Sequence, residues 1–162
     1  MKRIIQIEFL KDCPQFMSEV AYLWHQEWSQ QPDKTALERQ VLSVQAKANK
    51  GRVPFILVAI TDGELAGTTS VFNDDLENRP ELTPWLAAVV TRTEYRGLGV
   101  AEQLIASAAS ECKTLGYDRM YLRTEKADAY FDRLGWGLLA DTVDEHGVPT
   151  RVFTKVLPSP DK

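Results

Sequence analysis

The sequence of 162 residues is poor in cysteine and histidine, with two of each, and it has no long apolar run. Cys13 and Cys112 cannot build a disulfide framework, and Cys112 falls on the apolar face of a helix, which favours a buried free thiol. His25 and His146 are far apart in the chain and no paired metal-ligand spacing occurs, so no metal site is expected. The N-terminal run is too short and too polar for a secretion signal or a membrane span, so we expect a cytoplasmic protein without a membrane partner.

An excess of positive charge is absent as well. The chain has 19 lysines and arginines against 23 aspartates and glutamates, a formal net charge of −4. A nucleic-acid-binding surface needs basic side chains to neutralise phosphates, so this balance argues against a nucleic-acid partner. The length corresponds to about one domain. We therefore expect a single domain over residues 1–157 and a loose C-terminal tail over residues 158–162.

Hydrophobic periodicity and turn residues predict the element order β-α-α-β-β-β-α-β-α-β-β. The predicted helices cover residues 16–29, 35–50, 100–115 and 127–134, and Pro32-Asp33 breaks the first from the second. The predicted strands cover residues 4–10, 55–60, 65–72, 85–90, 118–124, 137–143 and 150–157. Asp62-Gly63 predicts a hairpin turn of the primed type. The strand over 85–90 is apolar nearly throughout, which is typical of a strand covered on both faces. The order predicts a mixed α/β fold, with a mainly antiparallel sheet and flanking helices.

The most informative segment is a glycine-containing turn between an apolar strand and a helix with an apolar stripe: Arg96, Gly97, Leu98, Gly99, Val100 and Ala101. Glycines let the backbone approach a ligand closely, and the start of a helix presents unpaired N–H groups that favour a phosphate or pyrophosphate. The dinucleotide fingerprint would need a small residue where Glu102 stands, and the Gly-Lys-Ser/Thr of a P-loop is missing. The remaining pattern is Gln/Arg-x-x-Gly-x-Gly/Ala, and the segment satisfies it.

With this pattern, the downstream segment that ends in Leu134-Gly135-Trp136, and the element order over residues 3–157, the chain resembles the GNAT superfamily of N-acetyltransferases. The resemblance implies a GNAT-type acyl-CoA N-acyltransferase fold with acetyl-CoA as co-substrate and no metal. It implies that N–H groups of residues 96–101 hold the coenzyme A pyrophosphate. The backbone of Val89 and Val90 would bind the pantetheine arm. The same strand would splay from the strand over 119–124 and leave a V-shaped slot for the thioester.

The resemblance also implies roles in the transfer. A backbone N–H of the splayed strand, that of Ala88 or Val89, would polarise the thioester carbonyl. Many relatives carry a tyrosine that protonates the sulfur, but the matching position here is Phe131, and Tyr130 stands one residue earlier. One residue on a helix is a rotation of about 100°. Either Tyr130 acts as the acid from another register, with Phe131 lining the coenzyme site, or the thiolate leaves unassisted.

Acceptor residues are predicted from charge and aromatic content. Four carboxylates precede the strand over 85–90 and either attract a cationic amine, act as the base or remain solvated: Asp74, Asp75, Glu77 and Glu81. Glu125 or a water chain are further candidates for the base. Arg79 could pair with a neighbouring carboxylate or select an acidic acceptor instead. His25 and Trp28 could form an aromatic wall against the acceptor, and Trp85 could be the floor of the slot or part of the core.

These observations together predict an acetyl-CoA-dependent N-acetyltransferase that acts on a primary amine of a small molecule or peptide by direct transfer in a ternary complex. The segments 80–87 and 23–28 resemble a bacterial branch whose acceptor is unassigned, with distant similarity to aminoglycoside 6′-acetyltransferases and to protein N-terminal acetyltransferases. The alternative is a non-catalytic acyl-CoA-binding regulatory module, which Phe131 and the lack of an evident base favour. O-acetylation is a third option, and a homodimer is compatible with the sequence.

Overall fold

The computed structural model describes residues 4–28 and 34–158 of the chain. The predicted break at Pro32-Asp33 and residues 159–162 of the predicted tail lie outside the described residues. Within them, the helices are α1 (Met17–Trp28), α2 (Lys34–Lys47), α3 (Val100–Thr114) and α4 (Asp128–Arg133). The strands are β1 (Gln6–Phe9), β2 (Phe55–Thr61), β3 (Glu64–Phe72), β4 (Trp85–Thr91), β5 (Arg119–Thr124), β6 (Gly137–Val143) and β7 (Pro149–Val156). The predicted mixed α/β fold and element order are confirmed.

The strands follow the order β1-β2-β3-β4-β5-β7-β6 in the sheet. Antiparallel pairing joins β1 to β2, β5 to β7 and β6 to β7. β4 and β5 run parallel, with Trp85 opposite Tyr121. The sheet is therefore mainly antiparallel, as predicted.

The chain divides into two compact units. The first unit comprises Met1–Ser70 with Ala88–Ala108, and the second comprises Val71–Ala87 with Ala109–Lys162. The single domain over residues 1–157 stays a prediction.

In the first unit, α1 packs against α2. Val20 of α1 and Val44 of α2 are fully buried, because each belongs to the apolar stripe of its helix. Asp62 and Gly63, which join β2 to β3, have φ angles of 53° and 77°. Positive φ at both central residues is what a type I′ turn needs, so the predicted hairpin is confirmed.

The second unit has an apolar cluster around Trp85, which is fully buried beside Leu76, Leu82 and Val152. The indole Nε1 of Trp85 donates a hydrogen bond of 2.7 Å to the carbonyl of Leu82, so the buried N–H is satisfied. The turn from β6 to β7 is built on Asp144. Its carboxylate accepts backbone N–H bonds from residues 146 and 148, at 2.8 and 2.9 Å.

Candidate functional site

The segment of residues 96–101, which we call the glycine loop, leads directly into α3. Gly97 and Gly99 have φ angles of 80° and 81°, a backbone conformation that residues with a side chain rarely adopt. A Cβ at either position would meet no atom within 4 Å, so the space above both glycines is open. Because α3 has 15 residues and begins at Val100, its first N–H groups lack partners within the helix and carry partial positive charge. The loop is therefore suited to an anionic ligand.

The segment before the glycine loop is fastened to β3 by three hydrogen bonds. The backbone N–H of Arg92 donates to the carbonyl of Ala66 at 2.9 Å, and its guanidinium donates to the carbonyl of Leu65 at 3.4 Å. The hydroxyl of Tyr95, which is buried, donates to the carboxylate of Glu64 at 2.8 Å. Sequence reasoning missed these residues, because nothing in the spacing shows that residues 92–95 return to β3.

Gly67 of β3 is a second feature that sequence reasoning missed. A Cβ on Gly67 would lie 2.8 Å from the carbonyl oxygen of Val90 and 2.9 Å from Cγ1 of Val100. The absence of a side chain at Gly67 therefore lets β4 and the first residue of α3 approach β3 closely. A glycine inside a strand marks such close approaches, and this signal could have been used.

The first unit also contains a cavity of about 450 Å³ between one side of α1 and the residues that lead from β4 into the glycine loop. Its wall includes Glu19 and Tyr22 from α1, and Arg92 and Arg96 from the opposite side. Arg92 lies 3.4 Å from the carboxylate of Glu19 and 3.8 Å from that of Glu94. Val90 of β4 also lines the cavity, so the cavity adjoins the strand that is predicted to bind the pantetheine arm.

β4 is less buried than the sequence predicts, because the prediction was a strand covered on both faces. Ala87, Ala88 and Val89 are only half-buried, although Leu86 and Val90 are buried. Ala88 has a φ of 55°, which places a residue with a Cβ in the left-handed region. Such a conformation costs of order 1–2 kcal/mol and is concentrated at functional sites. The prediction of full coverage was wrong for these three residues, because an apolar run does not by itself determine how much of a strand is covered.

The two predicted aromatic residues of α4 lie side by side. The rings of Tyr130 and Phe131 have centroids 5.1 Å apart at an angle of 79°, and Phe131 meets the ring of Trp136 at 6.2 Å. Both residues are half-buried, and the Tyr130 hydroxyl oxygen is buried. Their roles at the coenzyme sulfur stay predictions.

The acidic loop, residues 73–84, carries less unpaired charge than its sequence suggests. Glu81 forms an ion pair with Arg79 at 2.9 Å, and Asp75 forms one with Arg123 at 3.3 Å. The hydrogen bond from Arg79 lowers the pKa of Glu81 below its usual value. Asp74 and Glu77 are exposed and make no ion pair among the residues that the structure describes. The predicted attraction of a cationic acceptor therefore depends on these two carboxylates.

The three predicted aromatic acceptor residues have different environments. Trp28, the last residue of α1, is 55% exposed and can offer its ring to a ligand. His25 is buried, and its Nδ1 has no hydrogen-bond partner among the described residues. Trp85 is fully buried in the apolar cluster, which agrees with the core alternative for this residue, and its role as the floor of the slot stays a prediction.

The described residues include two cysteines, but no metal-binding group and no membrane-spanning helix. Cys13 and Cys112 are free and buried, which confirms the burial predicted for Cys112, and burial raises the pKa of Cys112 to about 12. Within residues 4–28 and 34–158, no group of three or more histidine, cysteine or acidic residues is arranged to hold a metal ion. Over the same residues, no helix has the length and apolar character that crossing a membrane requires.

Comparison with solved structures supports the fold. An aminoglycoside 6′-N-acetyltransferase complexed with coenzyme A is 17% identical, has a TM-score of 0.75, and is matched over 98% of this chain and 99% of its own. The aminoglycoside 6′-N-acetyltransferase from Enterococcus faecium is 16% identical, with a TM-score of 0.72 and coverage of 98% and 99%. The Salmonella typhimurium protein yncA with its cofactor acetyl-CoA is 16% identical, with a TM-score of 0.67 and coverage of 98% and 96%.

Comparison of the sequence itself gives the family. No curated protein matches the chain at a significant level. The sequence model of the acetyltransferase (GNAT) family matches residues 13–136, which include the glycine loop and α4. The chain therefore belongs to the acetyltransferase (GNAT) family.

Proposed function

We propose that the chain transfers the acetyl group of acetyl-CoA to a primary amine of a small molecule or peptide, directly within a ternary complex. The observation that carries this proposal is the left-handed backbone of Ala88, in a half-buried stretch of β4 that leads into the glycine loop. A left-handed residue changes the direction of the peptide groups beside it, and an N–H turned out of the sheet in this way can donate to a carbonyl oxygen.

The coenzyme part of the proposal rests on the glycine loop. Its open glycines and the start of α3 suit the pyrophosphate, and Arg96 adds an exposed positive charge beside it. The backbone of Val89 and Val90 would bind the pantetheine arm. Two similar structures contain coenzyme A or acetyl-CoA, which supports acetyl-CoA as the donor.

The chemistry assigns three tasks. The N–H of Ala88 or Val89 polarises the thioester carbonyl, and the amine nitrogen forms the new C–N bond as the C–S bond breaks. The departing thiolate takes a proton from Tyr130, and the proton that the nitrogen loses as the amide forms passes through water to restore the phenol. An alkylamine with a pKa of about 10.4 is neutral in fewer than about one molecule in a thousand at pH 7, so its proton must be lost to a carboxylate or to water.

The acceptor proposal is a cationic amine. Asp74 and Glu77 keep their negative charge exposed, and the ring of Trp28 is open to solvent. Several similar structures are named aminoglycoside 6′-acetyltransferases, which supports an acceptor rich in amino groups. Exposed carboxylates raise the encounter rate of a cation, and salt screens this effect over about 8–10 Å.

The test is an amine panel that contains matched cationic, neutral and acidic primary amines and one alcohol, with release of the free thiol of coenzyme A as readout. We expect release with cationic amines above the rate without acceptor, and initial-rate plots that intersect as a ternary complex requires. Parallel plots would contradict direct transfer. Acetyl-CoA binding without release for any acceptor would instead indicate a binding module, and release with the alcohol alone would indicate O-acetylation.

A further inference from the structure

α4 is too short to hold its own conformation. It has six residues, none of them fully buried, and its N-cap residue Ala127 makes no side-chain capping bond. Isolated helices shorter than about 12–15 residues are marginal in water, so the orientation of α4 depends on bonds from its surroundings. The orientation matters because Tyr130 and Phe131 are adjacent, and a rotation of about 100° exchanges their directions.

The start of α4 is attached at two places. The hydroxyl of Thr124 accepts hydrogen bonds from the backbone N–H groups of Lys126 and Ala127, at 3.4 and 3.0 Å. Arg151 of β7 forms an ion pair with Asp128, the first residue of α4. The same guanidinium binds Asp141 of β6 at 3.0 Å, so it joins the helix to two strands.

The end of α4 is attached to the same strand. Lys155 of β7 donates a hydrogen bond of 3.2 Å from its Nζ to the carbonyl of Leu134, the residue that follows α4. Gly135 then leaves the helix with a φ of 90°. The Nζ of Lys155 would lie 3.9 Å from a Cβ at Gly135, so the ammonium group sits against the helix end, where positive charge is favourable.

The spacing of the two cations matches the helix. Arg151 and Lys155 are four residues apart on a strand, so they share one face and are separated by ~13 Å. Asp128 and Leu134 are six residues apart, and a helix rises ~9 Å over that distance. The long side chains of Arg151 and Lys155 bridge the difference between these two lengths. A helix held at one end can still rotate, whereas attachment at both ends fixes its rotation.

We propose that Arg151 and Lys155 are positioning residues, a two-point clamp on β7 that fixes the rotation of α4 and thereby which of Tyr130 and Phe131 faces the thioester. This inference rests on the proposed function for its catalytic consequence. The attachment itself is independent of it.

The test uses the double variant Arg151→Gln/Lys155→Met of the full chain. The matched control is Lys113→Gln, which removes an ion pair with Asp118 of 3.0 Å that does not involve α4. Hydrogen exchange of the α4 amides is the first readout, followed at the N–H groups of Phe131 and Leu134, which bond to carbonyls of residues 127, 130 and 131. We expect their exchange to accelerate about tenfold in the clamp variant and to stay unchanged in the control.

Steady-state kinetics with the best amine of the panel is the second readout. We expect the clamp variant to lower kcat by about two- to fivefold, the scale of a lost exposed ion pair, with KM for acetyl-CoA unchanged. In a Tyr130→Phe background the same clamp substitutions should have no further effect.

Unchanged amide exchange in the clamp variant would overturn the clamp whatever the activity. Accelerated exchange with an unchanged kcat, or with an equal drop in the Tyr130→Phe background, would overturn the positioning role. A native chain that releases no coenzyme A with any amine would overturn the proposed function, and the exchange measurement would still decide the clamp.

Discussion

Replacement of Gly67 by alanine tests the close packing of β4 and α3 against β3. The new Cβ would lie 2.9 Å from Cγ1 of Val100, whereas carbon atoms normally approach to about 3.5–4.0 Å. It would also lie 2.8 Å from the carbonyl oxygen of Val90. Val100 can yield by a side-chain rotation, but a backbone carbonyl yields only if β4 moves. We therefore expect the alanine side chain to displace β4, the strand that is predicted to bind pantetheine.

Overpacking of this kind costs about 1–3 kcal/mol. For a chain of this length, each kcal/mol lowers the melting temperature by about 2–4 °C, so Gly67→Ala should melt roughly 2–12 °C below the native protein. The matched control is Gly137→Ala, because Gly137 is also in a strand, has no positive φ, and has no atom within 4 Å of a Cβ. Both variants gain the same unfolded-state stabilisation, so their difference isolates the clash.

The assay is thermal unfolding of both variants, followed by measurement of KM for acetyl-CoA. We expect Gly67→Ala to raise KM, because displacement of the Val90 carbonyl moves the strand beside the cavity, and Gly137→Ala to leave it unchanged. Equal melting temperatures for the two variants would refute the close-packing argument. A large loss of stability with an unchanged KM would separate the packing of Gly67 from coenzyme binding.

Four further predictions concern the site and the turn from β6 to β7. Acetyl-CoA should raise the melting temperature of the native protein, and Gly99→Glu should abolish that shift by blocking backbone approach and repelling the pyrophosphate; an unchanged shift would contradict the anion site. Ala88→Gly should raise the melting temperature by about 1–4 °C, because glycine relieves a left-handed backbone; a lower value would mean that Ala88 is not strained. Tyr130→Phe should lower kcat by about 10²–10⁴, whereas a loss below about threefold would assign the ring to packing. Hydrogen bonds, chiefly that from the Val148 N–H, lower the pKa of Asp144. Asp144→Ala should therefore have a lower melting temperature than the native protein at pH 7. The difference between the two melting temperatures should shrink as the pH falls below about 4, towards the lowered pKa, because the native carboxylate then becomes protonated. Thermal unfolding of both proteins at pH 7 and pH 3 tests this.

The parts of the fold that local chemistry determines could be predicted from the sequence. The hairpin between β2 and β3 could be predicted from Asp62-Gly63, because few residue pairs adopt positive φ together. The glycine loop was recognisable because glycine spacing, the preceding strand and the following helix stand together in the chain. The burial of Cys112 followed from its place on the apolar stripe of α3.

The parts that depend on distant residues could not be predicted. The partner of Asp75 is Arg123, 48 residues away, and no local pattern connects the two. The half-buried stretch around Ala88 reads as a core strand because apolar residues line both cores and ligand slots. The clamp on α4 requires the register of β7, which places Arg151 and Lys155 beside the helix, and register is a property of the folded sheet.

The arginines of the second unit change what the acidic loop can do. In the sequence, four carboxylates form one negative segment, and a cationic acceptor is the natural inference. In the structure, Arg79 and Arg123 neutralise two of them, so the attraction that remains comes from Asp74 and Glu77. Two exposed charges act mainly on the encounter rate and are screened by salt, so they cannot by themselves select one amine among many. Selectivity must then come from shape and from hydrogen bonds to the acceptor, which a pair of screened surface charges does not supply.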